Sequence, residues 1–441
     1  METLSGPRGA EPAEPAQAPL DDIEVRRLRA DFTVLERTVN SVPLVYLDSG
    51  ATSQKPQSVL DTEQHFYETV NAAVHRGAHS LAVEATDVYE QSREIVARFV
   101  GAGPDELVWT SNATEALNLL TYSFSNASAG RGGPAARRFA LGPGDEILVT
   151  ELEHHANLIP WQELAFRTGA TLRYIPVDGA GSLRMDAAAD LVGPRTRIVA
   201  FTHVSNVLGT VVDVAALVQL AREVGALTVL DGCQSVPHLP VDVKALDVDF
   251  MAFSGHKMLG PTGIGALYGR RDLLDAMPPF LTGGSMITTV TMDSAEYLEA
   301  PARFEAGTQR ISQAVALAAA VNYLDEVGMQ RIAAWEEHLG RRLAEGLASI
   351  PGVRQLGPAT GARIGTATID VPGVHPHDVG QFLDSRGVAV RVGHHCAQPL
   401  HRALGVTAST RASTYLYNTD DDVDAFLGAV AEVRGFFGAD A

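Results

Sequence analysis

Between residues 106 and 268 the chain repeats one pattern: a short apolar run, a polar or glycine-rich break, then a longer stretch with apolar residues at helical spacing. Short unbroken apolar runs are buried strands, and helix-length spacers between them make βαβ units. The pattern predicts strands at 106–110, 146–150, 171–175, 197–202, 227–230, 249–254 and 263–268, with helices such as 157–168 and 214–224 between them. The expected fold class is therefore α/β, with a mostly parallel seven-stranded sheet. The stretch 126–141 breaks the rhythm with Ala, Gly, Pro and Arg, and reads as a surface loop insertion. After Pro301 the pattern changes. Two long helices are expected at 311–327 and 329–349. They are followed by strand-like 364–371, a helix at 377–385, strand-like 388–392 and 410–416, and a last helix at 421–437. These make a smaller α+β domain. The expected division is a disordered tail over 1–22, a large domain over 46–298, and a small domain built from 23–45 and 299–441.

Polar clusters close several of the apolar runs. Phe250-Met251-Ala252-Phe253 ends in Ser254-Gly255-His256-Lys257, and Leu227-Thr228-Val229-Leu230 ends in Asp231, with Gln234 close behind. Open α/β sheets hold their ligands at the carboxyl ends of strands. A lysine in a dry site can lose its proton and form an imine with an aldehyde, and an acid at the end of another strand can hold a ring nitrogen protonated. That pairing suits pyridoxal phosphate. Taken singly, Lys257 also reads as a surface lysine and Asp231 as a helix cap or turn residue. Ser111-Asn112-Ala113-Thr114 follows another strand and opens a helix whose first N–H groups, with the Thr114 hydroxyl, suit a phosphate; a plain N-cap is the alternative. Ser254 and His256 can complete such a phosphate site.

His154, after the run 147–150, is placed to stack on a flat ring and to exchange protons near neutral pH. Its neighbour His155 points away from it on either regular structure, which argues against a shared metal. Further on, Arg391-Val392-Gly393-His394-His395-Cys396 suggests an exposed loop in which nearby positive groups would favour a thiolate; a buried small hydrophobe and a zinc ligand are the alternatives. Arg411, on a strand-like segment, suits a substrate carboxylate or a surface ion pair.

The chain of 441 residues carries 53 acids against 34 bases, a formal net charge of −19. That balance opposes nonspecific nucleic-acid binding. No apolar stretch approaches the ~20 residues that span a bilayer, and the first residues lack the apolar core of a signal peptide. Two cysteines, Cys233 and Cys396, build no disulfide framework, which points to a reducing cytoplasm.

With His75-Arg76-Gly77, Thr114-Glu115, Glu153-His154-His155-Ala156-Asn157, His203-Val204-Ser205-Asn206, Asp231-Gly232-Cys233-Gln234, Ser254-Gly255-His256-Lys257, Arg303-Phe304-Glu305-Ala306-Gly307-Thr308 and Arg391 to Cys396 in this order, the chain resembles class V pyridoxal-phosphate enzymes. Within them it is similar to the group II, Suf-type cysteine desulfurases, from about Val45 to the C-terminus. The resemblance implies the fold type I architecture of pyridoxal-phosphate transferases. It implies that Lys257 holds the cofactor and moves protons, Asp231 pairs with the ring nitrogen, Gln234 bonds the ring oxygen, and His154 stacks on the ring. Thr114, Ser254 and His256 would bind the phosphate, joined by Thr308 from the partner subunit of a homodimer. Asn206 and Arg411 would bind the carboxylate of L-cysteine, with Arg391 at the entrance. Cys396 would take the sulfur as a persulfide, leaving L-alanine, and pass it to a Suf-system acceptor protein for iron–sulfur cluster assembly. The chain departs from the family where Gln309 stands for proline, Cys233 for alanine and Ala113 for a hydroxyl residue. A selenocysteine lyase, or a class V aminotransferase or epimerase, is the competing enzyme reading. A non-catalytic docking subunit is the competing reading from another class.

Overall fold

The apolar runs pair into one sheet. In this computed structural model, which describes residues 18–439, seven strands lie in the order Leu107–Thr110, Gly265–Gly269, Phe250–Ser254, Leu227–Asp231, Thr196–Thr202, Glu146–Thr150 and Thr171–Ile175. Neighbours run parallel except at Gly265–Gly269, which is antiparallel to both its partners. Every residue of Leu107–Thr110, Glu146–Thr150, Phe250–Ser254 and Gly265–Gly269 is buried. Burial of both faces removes the polar alternation of a half-exposed strand, and this is why the runs read as continuous.

The two faces sort their side chains with the period of two that a strand requires. Val108, Phe250 and Ala252 pack with Phe124, Trp161 and Leu164 from the helices Ala113–Ser128 and Ile159–Thr168. Leu107, Trp109, Met251 and Phe253 face the other way, into a core shared with Ser80–Phe99, Val214–Val224 and Ile311–Val327. At Gly265 the backbones come close: an added Cβ would lie 2.7 Å from both the Asn112 Cα and the Phe253 carbonyl oxygen. Only glycine lets the start of the helix Ala113–Ser128 settle there.

The stretch 126–141 departs from the expected surface loop. The helix runs on to Ser128, a short helix spans Gly133–Ala136, and the chain folds back so that Phe139 is buried. Its ring stacks on Phe124 at 5.1 Å. One aromatic residue among small and basic ones is enough to pin the segment onto the core.

A second, antiparallel sheet holds Arg354–Leu356, Thr366–Asp370, Ser409–Ser413 and Arg391–Gly393 in that order. Val45–Tyr46 pairs in parallel with Val388–Ala389. The helix Asp22–Arg29 is tied to the last helix, Asp420–Phe436, by an Arg29–Asp422 ion pair at 2.8 Å. The expected tail lies outside the described residues as far as position 17; Leu20 is already buried. A hairpin of Ile287–Val290 and Ala295–Tyr297 has no counterpart among the expected elements. It carries Met292, 99% exposed, at its tip, and its mostly exposed residues leave no apolar period to read. Among the described residues no helix is long and apolar enough to cross a membrane.

Candidate active site

The strands ending at Thr110, Thr150, Thr202, Asp231 and Ser254 point the same way, and the segments beyond their ends meet at one edge of the sheet. The second sheet closes over that edge. Between them lies a cavity of about 380 Å³. Eleven of the twelve residues singled out from the sequence line it: Thr114, His154, Asn206, Asp231, Gln234, Ser254, His256, Lys257, Arg391, Cys396 and Arg411. Thr308 does not; it is exposed, outside the cavity of its own chain.

Lys257 ends a tight turn, Gly255–Lys257, directly after the strand Phe250–Ser254. Asp231 is 4% exposed, and one of its oxygens accepts from the Cys233 N–H at 2.9 Å. Its strand lies next to the strand that carries Lys257. Gln234 donates through Nε2 to the Gly50 carbonyl at 2.8 Å, so only part of its amide is left for a ligand. Asn112 caps the helix Ala113–Ser128 by accepting from the Glu115 N–H, and Ser254 Oγ accepts from the Ala113 N–H at 2.9 Å. Accepting from Ala113 does not use the Ser254 hydroxyl proton, and the Ser254 Oγ also lies 3.8 Å from Cys233 Sγ, a weak sulfur partner.

The histidines of the cavity are neutral. Burial, then the charge of Lys257, holds His154 down to about 3, and burial holds His256 down to about 4. His154 Nδ1 accepts from the Ala156 N–H at 3.0 Å, which puts its proton on Nε2. Next to it in the chain is Glu153, a buried acid that belongs to the motif 153–157 but to which the sequence reading assigns no role. Burial raises it to about 8, although Thr150 Oγ1, the Thr202 N–H and Asn157 Nδ2 all donate to it.

Arg411 is 2% exposed. It donates to the Asn206 carbonyl at 2.7 Å and to Asp48 Oδ1 at 3.3 Å, while its Nε–H is buried without a partner. Arg391 stands opposite it in the ladder. A buried guanidinium with a spare donor, beside a second arginine, suits a carboxylate. Asp48 is a further residue that the sequence does not mark; it sits in a loop without pattern, and burial raises its carboxyl above the ordinary range.

Cys396 is half-buried rather than exposed, on a turn where His395 and Cys396 both have positive φ, +49° and +56°. Two consecutive left-handed residues without glycine are strained, and neighbours hold them in place. The Cys396 carbonyl accepts from the His155 N–H at 2.7 Å, and the His395 carbonyl from Asn206 Nδ2 at 2.6 Å. His155 Nε2 accepts from the Gln398 N–H at 3.2 Å. Burial holds His395 down to about 2, and the Arg411 guanidinium is close enough to interact with Cys396. At Cys233, burial, then Asp231, pushes the thiol up to about 12. No group of three or more metal-ligating side chains occurs among the described residues.

The donor set fits pyridoxal phosphate. A lysine at one strand end and a buried acid at the next flank a helix start with the Ser254 hydroxyl beside it, and the flat imidazole of His154 lines the same cavity. These features define a pyridoxal-phosphate enzyme built on an α/β sheet. The chain belongs to the aminotransferase class-V family, whose pattern matches residues 45–426. It is 55% identical to a probable cysteine desulfurase 2 of Mycobacterium leprae over 422 residues, covering 95% of this chain and 99% of that one. Its fold is similar to the apo cysteine desulfurase of Thermococcus onnurineus, with a TM-score of 0.87, 39% identity, and coverage of 95% of this chain and 100% of that one. The Escherichia coli cysteine desulfurase in its S-sulfonic acid form gives a TM-score of 0.83 at 38% identity, covering 93% and 98%.

Proposed function

We infer that this protein is a cysteine desulfurase: it converts L-cysteine to L-alanine and keeps the sulfur on Cys396 as a persulfide. The observation that carries this reading is the presence of Cys396 in the same cavity as Lys257, Asp231 and Arg411. Bound there, pyridoxal phosphate supplies an aldehyde for an amine and a ring that takes up electrons from the substrate's Cα. The residues of the chain do the rest. Lys257 would hold the aldehyde and, when freed from it, would carry protons to and from the substrate carbon. Asp231 keeps a proton on the ring nitrogen, and Gln234 holds the ring oxygen. His154 would stack on the ring face. Thr114, Ser254 and His256 hold the phosphate, and Thr308 serves the partner's site in a homodimer. The spare Nε–H of Arg411, with Asn206, takes the substrate carboxylate, and Arg391 guards the entrance.

Orientation by that carboxylate turns the substrate Cβ–Sγ bond toward Cys396. The Cys396 sulfur bonds to the substrate sulfur as the Cβ–Sγ bond breaks, and the carbon fragment leaves as alanine after protonation. The sulfur count balances: one thiol and one cysteine give one persulfide and one alanine. Delivery of that sulfur to a Suf-system acceptor protein for iron–sulfur cluster assembly, in the cytoplasm, completes the proposed role. Residues 46–298 form the cofactor lobe in this reading. Residues 23–45 and 299–441 form the lobe that carries the cysteine turn, supported by the pairing of Val45–Tyr46 with Val388–Ala389.

Replacement of Cys396 by alanine tests the reading. Cys396→Ala is expected to keep the yellow cofactor absorbance and lose most cysteine-dependent alanine release. Release at the parent rate would overturn the persulfide step.

A further inference from the structure

The carbonyl of His256, in the peptide bond that leads into Lys257, accepts from four donors. These are the Ser53 N–H at 3.0 Å, Ser53 Oγ at 3.1 Å, Thr52 Oγ1 at 3.1 Å and Lys55 Nζ at 3.1 Å. All four come from one loop. Lys55 Nζ also donates to the Ser53 carbonyl and reaches Thr52 Oγ1 at 3.4 Å, so its ammonium knots the loop and the turn together. Ser53 Oγ holds the far side of the turn as well, accepting from the Leu259 N–H at 2.9 Å.

A carbonyl oxygen has two lone pairs, so it does not need four donors to be satisfied. The three neutral donors already exceed its capacity. Placing an ammonium there carries a desolvation cost, and burial alone lowers Lys55 to about 8. Nothing about satisfying the carbonyl explains that cost. Lys55 does not line the cavity either. It stands behind the wall and touches the cavity through the His256–Lys257 peptide.

We propose that Lys55 is a positioning residue for Lys257: its ammonium clamps the His256 carbonyl so that the lysine's backbone cannot turn when the side chain takes up or releases the cofactor. Charge-assisted bonds are the stronger ones, so the clamp depends on the ammonium more than on the neutral donors. A lysine that must exchange partners in each turnover has to return to the same place. The clamp fixes its base while its side chain moves.

The proposal rests on Lys257 being the cofactor lysine, and borohydride reduction of the parent holoenzyme followed by peptide mapping checks that separately. Label on a residue other than Lys257 would remove the clamp's target and overturn the proposal together with the cofactor assignment. With Lys257 labelled, Lys55→Met holoenzyme is expected to release pyridoxal phosphate about tenfold faster. Its visible circular dichroism, which reports a cofactor held in one orientation, is expected to fall by about half. Far-ultraviolet circular dichroism is expected to stay at the parent value. Lys55→Arg, which keeps the charge, is expected to restore both signals most of the way, and Thr52→Val to leave them within twofold of the parent. Parent-like release and dichroism in Lys55→Met would overturn the proposal. So would a Thr52→Val effect as large as that of Lys55→Met, which would assign the role to loop packing. If Lys55→Met does not fold, Lys55→Gln is read by the same two signals against the same limits.

Discussion

The Arg93–Glu305 pair predicts a large and specific loss of stability. Arg93 donates to Glu305 through both terminal nitrogens, at 2.6 and 2.9 Å, and the two side chains are 4% and 6% exposed. Glu305 also accepts from the Trp109 N–H at 2.8 Å and from the Tyr89 hydroxyl at 3.2 Å. The carboxylate thus joins the helix Ser80–Phe99, the edge strand Leu107–Thr110 and the segment leading to Thr308. Glu305→Ala takes away the main partner of a buried guanidinium, which keeps only Glu90 and the Leu107 carbonyl, each at 3.0 Å, so the loss falls at the lower end of the range for a broken buried pair, about 3 kcal/mol. It also leaves a buried backbone N–H unpaired, worth ~1 kcal/mol more. Unfolding entropy for a chain of this length is roughly 0.9 kcal/mol/K, so the melting temperature should fall by about 4 °C. Differential scanning calorimetry of the holoenzyme measures it. The double variant Arg93→Met with Glu305→Met removes both charges and should recover most of the loss, since breaking such a pair costs more than replacing it. A fall of under ~1 °C in Glu305→Ala, or a double variant as unstable as the single one, would refute the reasoning.

Three other expectations concern the site and its supports. Cys233, with its thiol raised to about 12 by burial, should resist iodoacetamide at neutral pH while Cys396 is alkylated; mass spectrometry showing both modified at similar rates would contradict this. Glu153 is raised to about 8 in the fold, so its contribution is complete below the ordinary carboxyl range and is lost as pH rises toward and through 8. The stability of the parent relative to Glu153→Gln should therefore decline between about pH 5 and 8 by about a few kcal/mol, and a constant difference in denaturation midpoints would exclude it. Gly265→Ala puts a Cβ 2.7 Å from the Asn112 Cα, where backbone must move. It should cost about 1–3 kcal/mol and weaken retention of pyridoxal phosphate, measured by dialysis and absorbance.

Most of the sheet is legible in the sequence because strands such as Leu107–Thr110, Phe250–Ser254 and Gly265–Gly269 are buried on both faces, so their runs are largely apolar; the edge strand Thr171–Ile175 is mostly exposed and carries Arg173 and Tyr174. The residues beyond those runs are legible because strand ends collect at one edge, and eleven candidates from distant positions share one cavity. Residues without a period leave no such mark. Asp48 and Lys55 sit in a loop, and their partners, Arg411 and the His256 carbonyl, are far away in sequence. Glu153 looks like a surface acid until the fold buries it between Thr150, Asn157 and Thr202. The segment 126–141 differs from its expected form because one phenylalanine outweighs a composition of small and basic residues. Histidine charge leaves no mark in the sequence because burial, which lowers the pKa of His154 and His395, is a tertiary property.

The turn that carries Cys396 is short, left-handed at two successive residues, and fastened on both sides by bonds to its own peptide groups. A side chain on such a mount reaches only as far as rotation about its Cα–Cβ bond allows, a few ångströms in any direction. Sulfur held there cannot be carried outward on a swinging arm. Whatever receives it has to bring its own accepting atom into the cleft, and the width of that cleft then decides which recipients are admitted.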